Sequence, residues 1–246
     1  MESAGDTAVI IPAKDEAARI AATVRAARTL PGVDLVVVVD DGSSDGTGDA
    51  ARAAGARVVR HSRNQGKAAA METGAEAVGL LDEGREHPRH LLFLDADLTE
   101  TAKDAGPLIE PVRAGDADMS IAVFPANRVK LGGHGFVVKL ARDGIHRITG
   151  FTAAQPLNGQ RCLTRPAFEA ARPLAAGFGV ETGLTIDLLR AGFRVVEVEV
   201  PLAHRATGND LKAQMHRAKQ FKDVARALAA REPVVRRGLE TLRPPR

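Results

Sequence analysis

The chain contains no Trp and no Tyr, and its aromatic side chains are eight Phe among 246 residues. Stacking of a base or a sugar on an indole or phenol ring is therefore excluded. A single cysteine, Cys162, rules out an intramolecular disulfide, and nothing marks an oxidising compartment. A nucleophilic Cys162 is one reading, but an inert, half-buried thiol fits better. No apolar run approaches the roughly 20 residues of a spanning helix. The opening Met1-Glu2-Ser3-Ala4-Gly5-Asp6 is acidic and polar, unlike a signal peptide. The expectation from these features is a cytoplasmic protein.

Strong net charge is missing too, since the sum is only +3, but its distribution is uneven. Residues 205–246 carry eleven Lys/Arg against four Asp/Glu. Such a tail seeks phosphates or an anionic membrane, which allows peripheral contact with the inner membrane face. The alternative is a solvated basic helix. Nucleic acid is disfavoured, because the tail has one Phe and no recognisable binding motif.

Short β-branched runs alternate with helical patterns through the first half. Strands are expected at 7–12, 34–39, 57–60, 89–94 and 118–123, and helices at 15–29, 45–54, 66–78 and 101–113. The near-continuous apolar runs argue for an α/β fold with a mostly parallel sheet covered on both faces. Right-handed crossovers then bring every strand-to-helix loop to one edge. The polar clusters at 12–16, 40–45, 64–67 and 95–97 all fall in such loops.

The second half opens with loop chemistry at 125–135, suited to a lid over a site. Helices are expected at 136–148, 179–190 and 209–230, the last capped by Asn209 or Asp210, with strands at 156–164 and 194–200. Residues 194–200 alternate polar and apolar, as a half-exposed edge strand does. There is no internal repeat and no linker that forces a split. The expectation is a single domain over 1–246, with two halves at 1–123 and 124–246.

The chemistry concentrates where buried-type strands end in carboxylates. Leu91-Leu92-Phe93-Leu94 runs into Asp95-Ala96-Asp97, and Val36-Val37-Val38-Val39 runs into Asp40-Asp41-Gly42-Ser43-Ser44-Asp45-Gly46-Thr47. Paired carboxylates supply hard oxygen ligands that suit Mg²⁺ or Mn²⁺, ions that share their shell with substrate phosphates. Asp97 reads as the first metal ligand, and Asp95 as orienting ribose or the metal's water shell. Gly42 and Gly46 permit tight turns that expose amides and the Ser43 hydroxyl to a nucleobase or ribose. Asp41 and Glu16 are acceptors for base or ribose groups, while Asp45 reads as a helix cap. Lys67, behind Gly66 at a helix start, is placed to meet diphosphate or base oxygens, or else stands exposed on an Ala-rich helix.

Taken together, Ile11-Pro12-Ala13-Lys14-Asp15-Glu16, the 40–47 stretch, Asn64-Gln65-Gly66-Lys67 and Leu94-Asp95-Ala96-Asp97 resemble the family 2-like glycosyltransferases with the GT-A fold. The resemblance covers nearly the whole chain. It implies sugar transfer from a nucleotide-diphosphate donor with a divalent metal, and nucleotide-sugar contacts from Pro12, Glu16, Asp41, Ser43, Lys67, Asp95 and Ala96. UDP-glucose is the donor it favours.

Gln155-Pro156-Leu157-Asn158-Gly159, Gly177-Phe178-Gly179-Val180-Glu181 and Ala203-His204-Arg205 are similar in order and spacing to glucosyl-3-phosphoglycerate synthase-type enzymes of actinobacteria. That likeness implies His204 as a further metal ligand beside Asp97. It also implies Asn158, Gly159 and Arg205 on the acceptor side. Arg205 suits a phosphate, because guanidinium matches phosphate oxygens bidentately. Glu181 is either a general base on the acceptor hydroxyl or an anchor for sugar hydroxyls, so it joins Asp97 among the catalytic candidates.

The departures are on the acceptor side. After Gly132-Gly133 this chain has His134 and Phe136 where those enzymes have an arginine and a threonine, and Ala206 replaces an asparagine. Phe136, Val137 and Val138 suit a more apolar acceptor such as a polyprenyl phosphate, or simply pack a helix. A phosphorylated small molecule is the other acceptor class, and a homodimer is compatible with this reading. One rival is a sugar-nucleotide nucleotidyltransferase. It calls for a Gly-rich loop after the first strand, but here that loop is Pro12-Ala13-Lys14-Asp15-Glu16. The other rival is a non-catalytic nucleotide-sugar-binding protein, against which the retained carboxylates argue.

Overall fold

The structure is a computed structural model that describes residues 5–125, 135–202 and 211–232, with backbone alone over 211–217. The expectations for Gly132, Gly133, His134, His204, Arg205, Ala206 and the Asn209/Asp210 cap lie outside the described residues.

The chain order begins β1 (Thr7–Ala13), α1 (Ala17–Ala27), β2 (Val33–Asp40), α2 (Thr47–Ala53), β3 (Arg57–Arg60), α3 (Lys67–Leu81) and β4 (His90–Phe93). A 3₁₀ turn (Thr99–Ala105) leads into α4 (Gly106–Arg113), β5 (Met119–Val123), α5 (Gly135–Thr149), β6 (Arg161–Leu163) and α6 (Arg165–Ala170). The described chain ends with α7 (Val180–Arg190), β7 (Val195–Glu199) and α8 (Leu211–Ala229). One seven-stranded sheet runs β3-β2-β1-β4-β6-β5-β7, and β6 is its antiparallel member.

Three expectations need adjustment. The helix expected at 101–113 divides into the 3₁₀ turn and α4, where Pro107 lacks the amide that a continuous ladder requires. The strand expected at 156–164 shrinks to Arg161–Leu163, because the residues before it form a braced turn at the site. Helix α6, capped by the Thr164 hydroxyl, was absent from the sequence reading. The edge position of β7 is as expected, parallel to β5 at the end of the sheet.

Period-two alternation divides the core. Val9 and Ile11 of β1 join Val36, Val38, Ile20, Val24 and Ile109 on one face. Ala8 and Ile10 join Val37, Val39, Met71, Phe93 and Phe168 on the other. A third cluster packs α5 and α8 against α7 through Val137, Ala141, Ile145, Ile186, Val224 and Leu228. Both central faces are dry, so the strands read as continuous apolar runs.

The chain winds outward from β1 to β2 and β3, then returns to place β4 on the other side of β1. The carboxyl ends of β1 and β4 therefore diverge into a crevice, where ligands bind in such sheets. Cys162 is fully buried in β6, and burial pushes its thiol up, which agrees with the inert reading.

Helix α3 lies against the sheet at Gly74, where an added Cβ would stand 2.4 Å from Ile10 Cγ2 and 3.3 Å from Val39 Cγ2. Alanine for glycine within a helix ordinarily gains roughly 0.5–1 kcal/mol. Here overpacking reverses the sign, and Gly74→Ala is expected to lose about 1–3 kcal/mol, read as a lower urea unfolding midpoint.

Candidate active site

The loops after β1, β2, β3 and β4 converge on a cleft of about 290 Å³ lined by Pro12, Lys14, Asp41, Asn64, Lys67, Asp95, Phe178 and Lys219, among others. Its floor is built by backbone amides meeting side chains across loops. Asp15, at φ 53, donates its amide to Ser43 Oγ (2.9 Å) and accepts from the Ser44 amide at 2.9 Å. The Glu16 amide donates to Thr47 Oγ1 at 2.8 Å. Asp45 accepts from the amides of Ala17 (3.0 Å) and Thr47 (3.1 Å), so it caps the starts of α1 and α2 together. The helix-cap reading of Asp45 is the one the structure supports.

Ser43 departs from expectation. It is buried, its hydroxyl holds Asp15, and its amide donates to Asp40 Oδ1 at 2.8 Å. The reason is the turn at Gly42 (φ 70), where a Cβ would meet the Arg63 carbonyl carbon at 2.7 Å. The loop is pressed against 63–64, and that contact turns Ser43 inward.

Asp41 lines the cleft, yet its carboxylate already has three donors: the Gln65 amide (2.7 Å), the Gly66 amide (2.8 Å) and His61 Nδ1 (2.8 Å). Burial by itself pushes the carboxyl up, but the donors from Gln65, His61 and Gly66 outweigh it and hold Asp41 below the usual aspartate range. His61 Nε2 in turn meets Thr73 Oγ1 at 3.0 Å, which ties the loop to α3. His61 was not anticipated, since a lone histidine after a strand carries no sequence signal.

Lys67 is half-buried in the cleft wall and not free on the helix surface. Its Nζ lies 2.9 Å from Asp95 Oδ1 and 2.9 Å from Glu181 Oε1. Burial acts to lower the ammonium's pKa, but Asp95 and Glu181 together raise it above the ordinary lysine value, so it is cationic throughout the neutral range. Asp95 is fixed a second time by Gln160, whose Nε2 donates to Asp95 Oδ2 and whose Oε1 accepts the Asp95 amide, both at 2.9 Å. Gly159 fits between these groups, since a Cβ there would meet Lys67 Nζ at 2.4 Å and Asp95 Oδ1 at 3.2 Å.

The turn before β6 is braced from within. Asn158 gives Nδ2 to Gln155 Oε1 (3.3 Å) and accepts the Gln160 amide (3.0 Å). It is 7% exposed and shapes the turn, whereas the sequence reading placed it facing an acceptor. Arg161 is fully buried and donates to the carbonyls of Pro156, Asn158 and Glu181 and to Thr185 Oγ1. Burial brings its guanidinium down to about 10, still charged at neutral pH. Arg161 and Gln160 escaped the sequence reading, because a strand-start arginine looks like a solvent-facing charge until the sheet is assembled.

Glu181 sits in the first turn of α7, where the exposed amides of a helix start favour a carboxylate. Ala96 is buried and its carbonyl accepts from Thr23 Oγ1 (2.8 Å), which also receives the Thr99 amide (2.9 Å). This pins the 95–99 turn to α1. Burial, with the nearby negative charges of Asp97 and Asp45, raises the Glu16 carboxyl above its usual range against the pull of Arg19. Glu16 is ion-paired with Arg19 on α1. Among the described residues no three His, Cys, Asp or Glu side chains form a complete metal-holding group. No described helix is long and apolar enough to cross a membrane.

A mostly parallel sheet with its site at this crevice matches the GT-A class of glycosyltransferase structures. Residues 8–141 match the sequence pattern of "Glycosyl transferase family 2", and the chain belongs to that family.

Among curated proteins it is 31% identical to glycosyltransferase AglJ of Haloferax volcanii over 209 residues, covering 82% of this chain and 64% of that protein. It is 29% identical to glucosyl-3-phosphoglycerate synthase of Mycolicibacterium paratuberculosis, covering 73% of this chain and 58% of the synthase. Both relatives are thus considerably longer than the matched region. The crystal structure of glucosyl-3-phosphoglycerate synthase from Mycobacterium tuberculosis with Mn²⁺, UDP and phosphoglyceric acid superposes with a TM-score of 0.72. It is 26% identical to this chain and is matched over 92% of this chain and 78% of its own length. A complex of the same enzyme with Mn²⁺, UDP-glucose and phosphoglyceric acid gives a TM-score of 0.71 at 27% identity.

Asp41→Asn turns one acceptor arm into a donor facing a backbone amide. It is expected to destabilise the fold by about 1–3 kcal/mol at neutral pH. Because the folded carboxyl is held low, the wild-type contribution is present above the ordinary aspartate range and is lost as pH falls through the lowered folded value. Urea unfolding across acidic pH checks this, and the variant's stability should vary less over that window.

Proposed function

We propose that the protein is a glycosyltransferase that moves a sugar from a nucleotide-diphosphate donor, UDP-glucose by preference, to a phosphorylated small molecule or a lipid phosphate. The observation that carries this reading is the Lys67 ammonium held between Asp95 and Glu181 at the β1/β4 crevice. It sets one cation and two carboxylates where a diphosphate and a sugar ring would lie side by side.

In this reading Asp41, through the loop it clamps, and Glu16 face the nucleoside with Pro12. Lys67 answers the diphosphate, and its two carboxylates become available to ribose and sugar hydroxyls. Glu181 faces the sugar or the acceptor. Gly159 keeps the floor open beside them, and Arg205 supplies a cation for the acceptor's phosphate.

The donor set fits a divalent cation. Asp97 offers hard carboxylate oxygens close enough to Glu16 to act on it electrostatically. Asp97, with His204, would hold the ion, and diphosphate oxygens would complete a shell that the described residues do not fill alone. When bound, Mg²⁺ or Mn²⁺ stabilises the negative charge that gathers on the departing diphosphate. The mycobacterial synthase captured with Mn²⁺, UDP-glucose and phosphoglyceric acid supports donor and metal. The acceptor-side departures at His134, Phe136 and Ala206 count against phosphoglycerate itself.

Calorimetric titration with UDP-glucose and GDP-mannose, with and without Mn²⁺, tests the reading. Metal-dependent binding of UDP-glucose is expected, and no binding of either nucleotide with metal present would overturn it. Asp97→Ala should keep the unfolding midpoint while lowering metal-dependent turnover by roughly 100-fold or more, a loss of about 3 kcal/mol in transition-state stabilisation. Unchanged turnover would remove Asp97 from the metal.

A further inference from the structure

Helices α5 and α8 run parallel, side by side. Phe136 faces Phe221, Gly144 lies under Leu228, and Arg147 pairs with Glu232. Val137, Ala141 and Ile145 close the seam against Val224 and Leu228. Among the described residues, the leading end of the seam carries two aromatic rings. The rings of Phe136 and Phe221 stack with centroids 5.8 Å apart, 72% and 40% exposed. Phe93, Phe124 and Phe168 are buried in the cores, and among the described residues no other Phe is exposed. Two stacked rings left in water hold apolar area that a soluble surface ordinarily covers.

The surroundings of the pair are cationic. Lys139 and Lys222 are exposed beside it, with Lys219 one half-turn before Phe221. The nearby acids do not balance them. Asp143 pairs with Lys139 at 3.6 Å, and Asp223 is turned inward, accepting the Phe178 amide at 3.2 Å, so the excess positive charge rests on Lys219 and Lys222. The patch also adjoins the cleft, because Lys219 and Phe178 line it and the Lys219 ammonium lies 6.0 Å from the Phe178 ring centroid. Helix α8 thus contributes Lys219 to the cleft lining and Phe221 to the ring pair.

We infer that this Phe136/Phe221 rim is a membrane-docking surface, which seats the mouth of the cleft on an anionic lipid bilayer. Rings that enter the headgroup boundary, ringed by lysines that meet lipid phosphates, form the combination that holds a protein on such a surface. Charge complementarity selects this occupant over a second copy of the chain, since two copies joined here would set lysines against lysines. The inference deepens the glycosyl-transfer reading, on which its functional sense rests, by choosing a lipid-borne phosphate as the acceptor class.

The test is co-sedimentation of the full chain, without donor, with phosphatidylcholine vesicles that contain or lack phosphatidylglycerol. Wild type is expected to bind the phosphatidylglycerol vesicles and to stay in solution with phosphatidylcholine alone. Phe136→Ser with Phe221→Ser should weaken binding by about tenfold or more, as the loss of two partly buried rings implies. Lys139→Gln with Lys222→Gln should weaken it and flatten its salt dependence. Phe136→Ser alone keeps the test decisive if the double variant does not fold.

Absence of wild-type binding to anionic vesicles overturns the inference, as does equal binding by both double variants. Wild-type dimers that the Phe variants dissociate, seen by analytical ultracentrifugation, would assign the patch to a second copy and overturn it too. Donor titration is a separate measurement, so vesicle binding can fail while UDP-glucose binding stands, and the reverse.

Discussion

One ammonium shared by two carboxylates joins the two halves of this protein. Lys67 comes from the start of α3, Asp95 from the end of β4 and Glu181 from the first turn of α7. Without the cation, two carboxylates would face each other in a cleft where water screens them poorly. With it, the loop after β4, the turn before β6 and the start of α7 share one position. Gly159 is glycine because a side chain would occupy the ammonium's place. Gln160 and Arg161 extend the same bracing into the sheet, from Asp95 on one side to the Glu181 carbonyl on the other.

The scaffold makes this arrangement possible through the reversal of strand order at β1 and β4. Strands buried on both faces deliver their terminal loops to one edge, and amide-to-side-chain bonds lock those loops to each other. Much of what looks like ligand chemistry is also architecture: the side chains of Asp41, Ser43, Asp45 and Asn158 hold the loops that wall the cleft. The pre-set geometry means that ordering costs are met on folding rather than on binding.

The sheet was legible because its signals are local. Val36-Val37-Val38-Val39 and Leu91-Leu92-Phe93-Leu94 read as buried strands by composition alone, and the glycines that follow the first of them read as turns. The placing of 12–16, 40–45, 64–67 and 95–97 at one edge followed from crossover handedness. What stayed hidden depends on assembly. Arg161 reads as a surface charge until it is found enclosed, and His61 reads as a loop residue until Asp41 lies beside it. The inward turn of Ser43 follows from a contact between loops far apart in sequence, and helix α6 is too short for periodicity to show. The exposure of Phe136 was also beyond the sequence, since an apolar residue at a helix start more often packs than protrudes.

Lys67 couples the two carboxylates and is the cation proposed to meet the donor, so the most direct measurement is on Lys67→Met. Hydrogen exchange at the amides of the first turn of α7 and UDP affinity with Mn²⁺ would be read on the same protein. Faster exchange there, together with weakened UDP binding, is the predicted result. Unchanged exchange and unchanged affinity would contradict the claim that this one cation holds the site together.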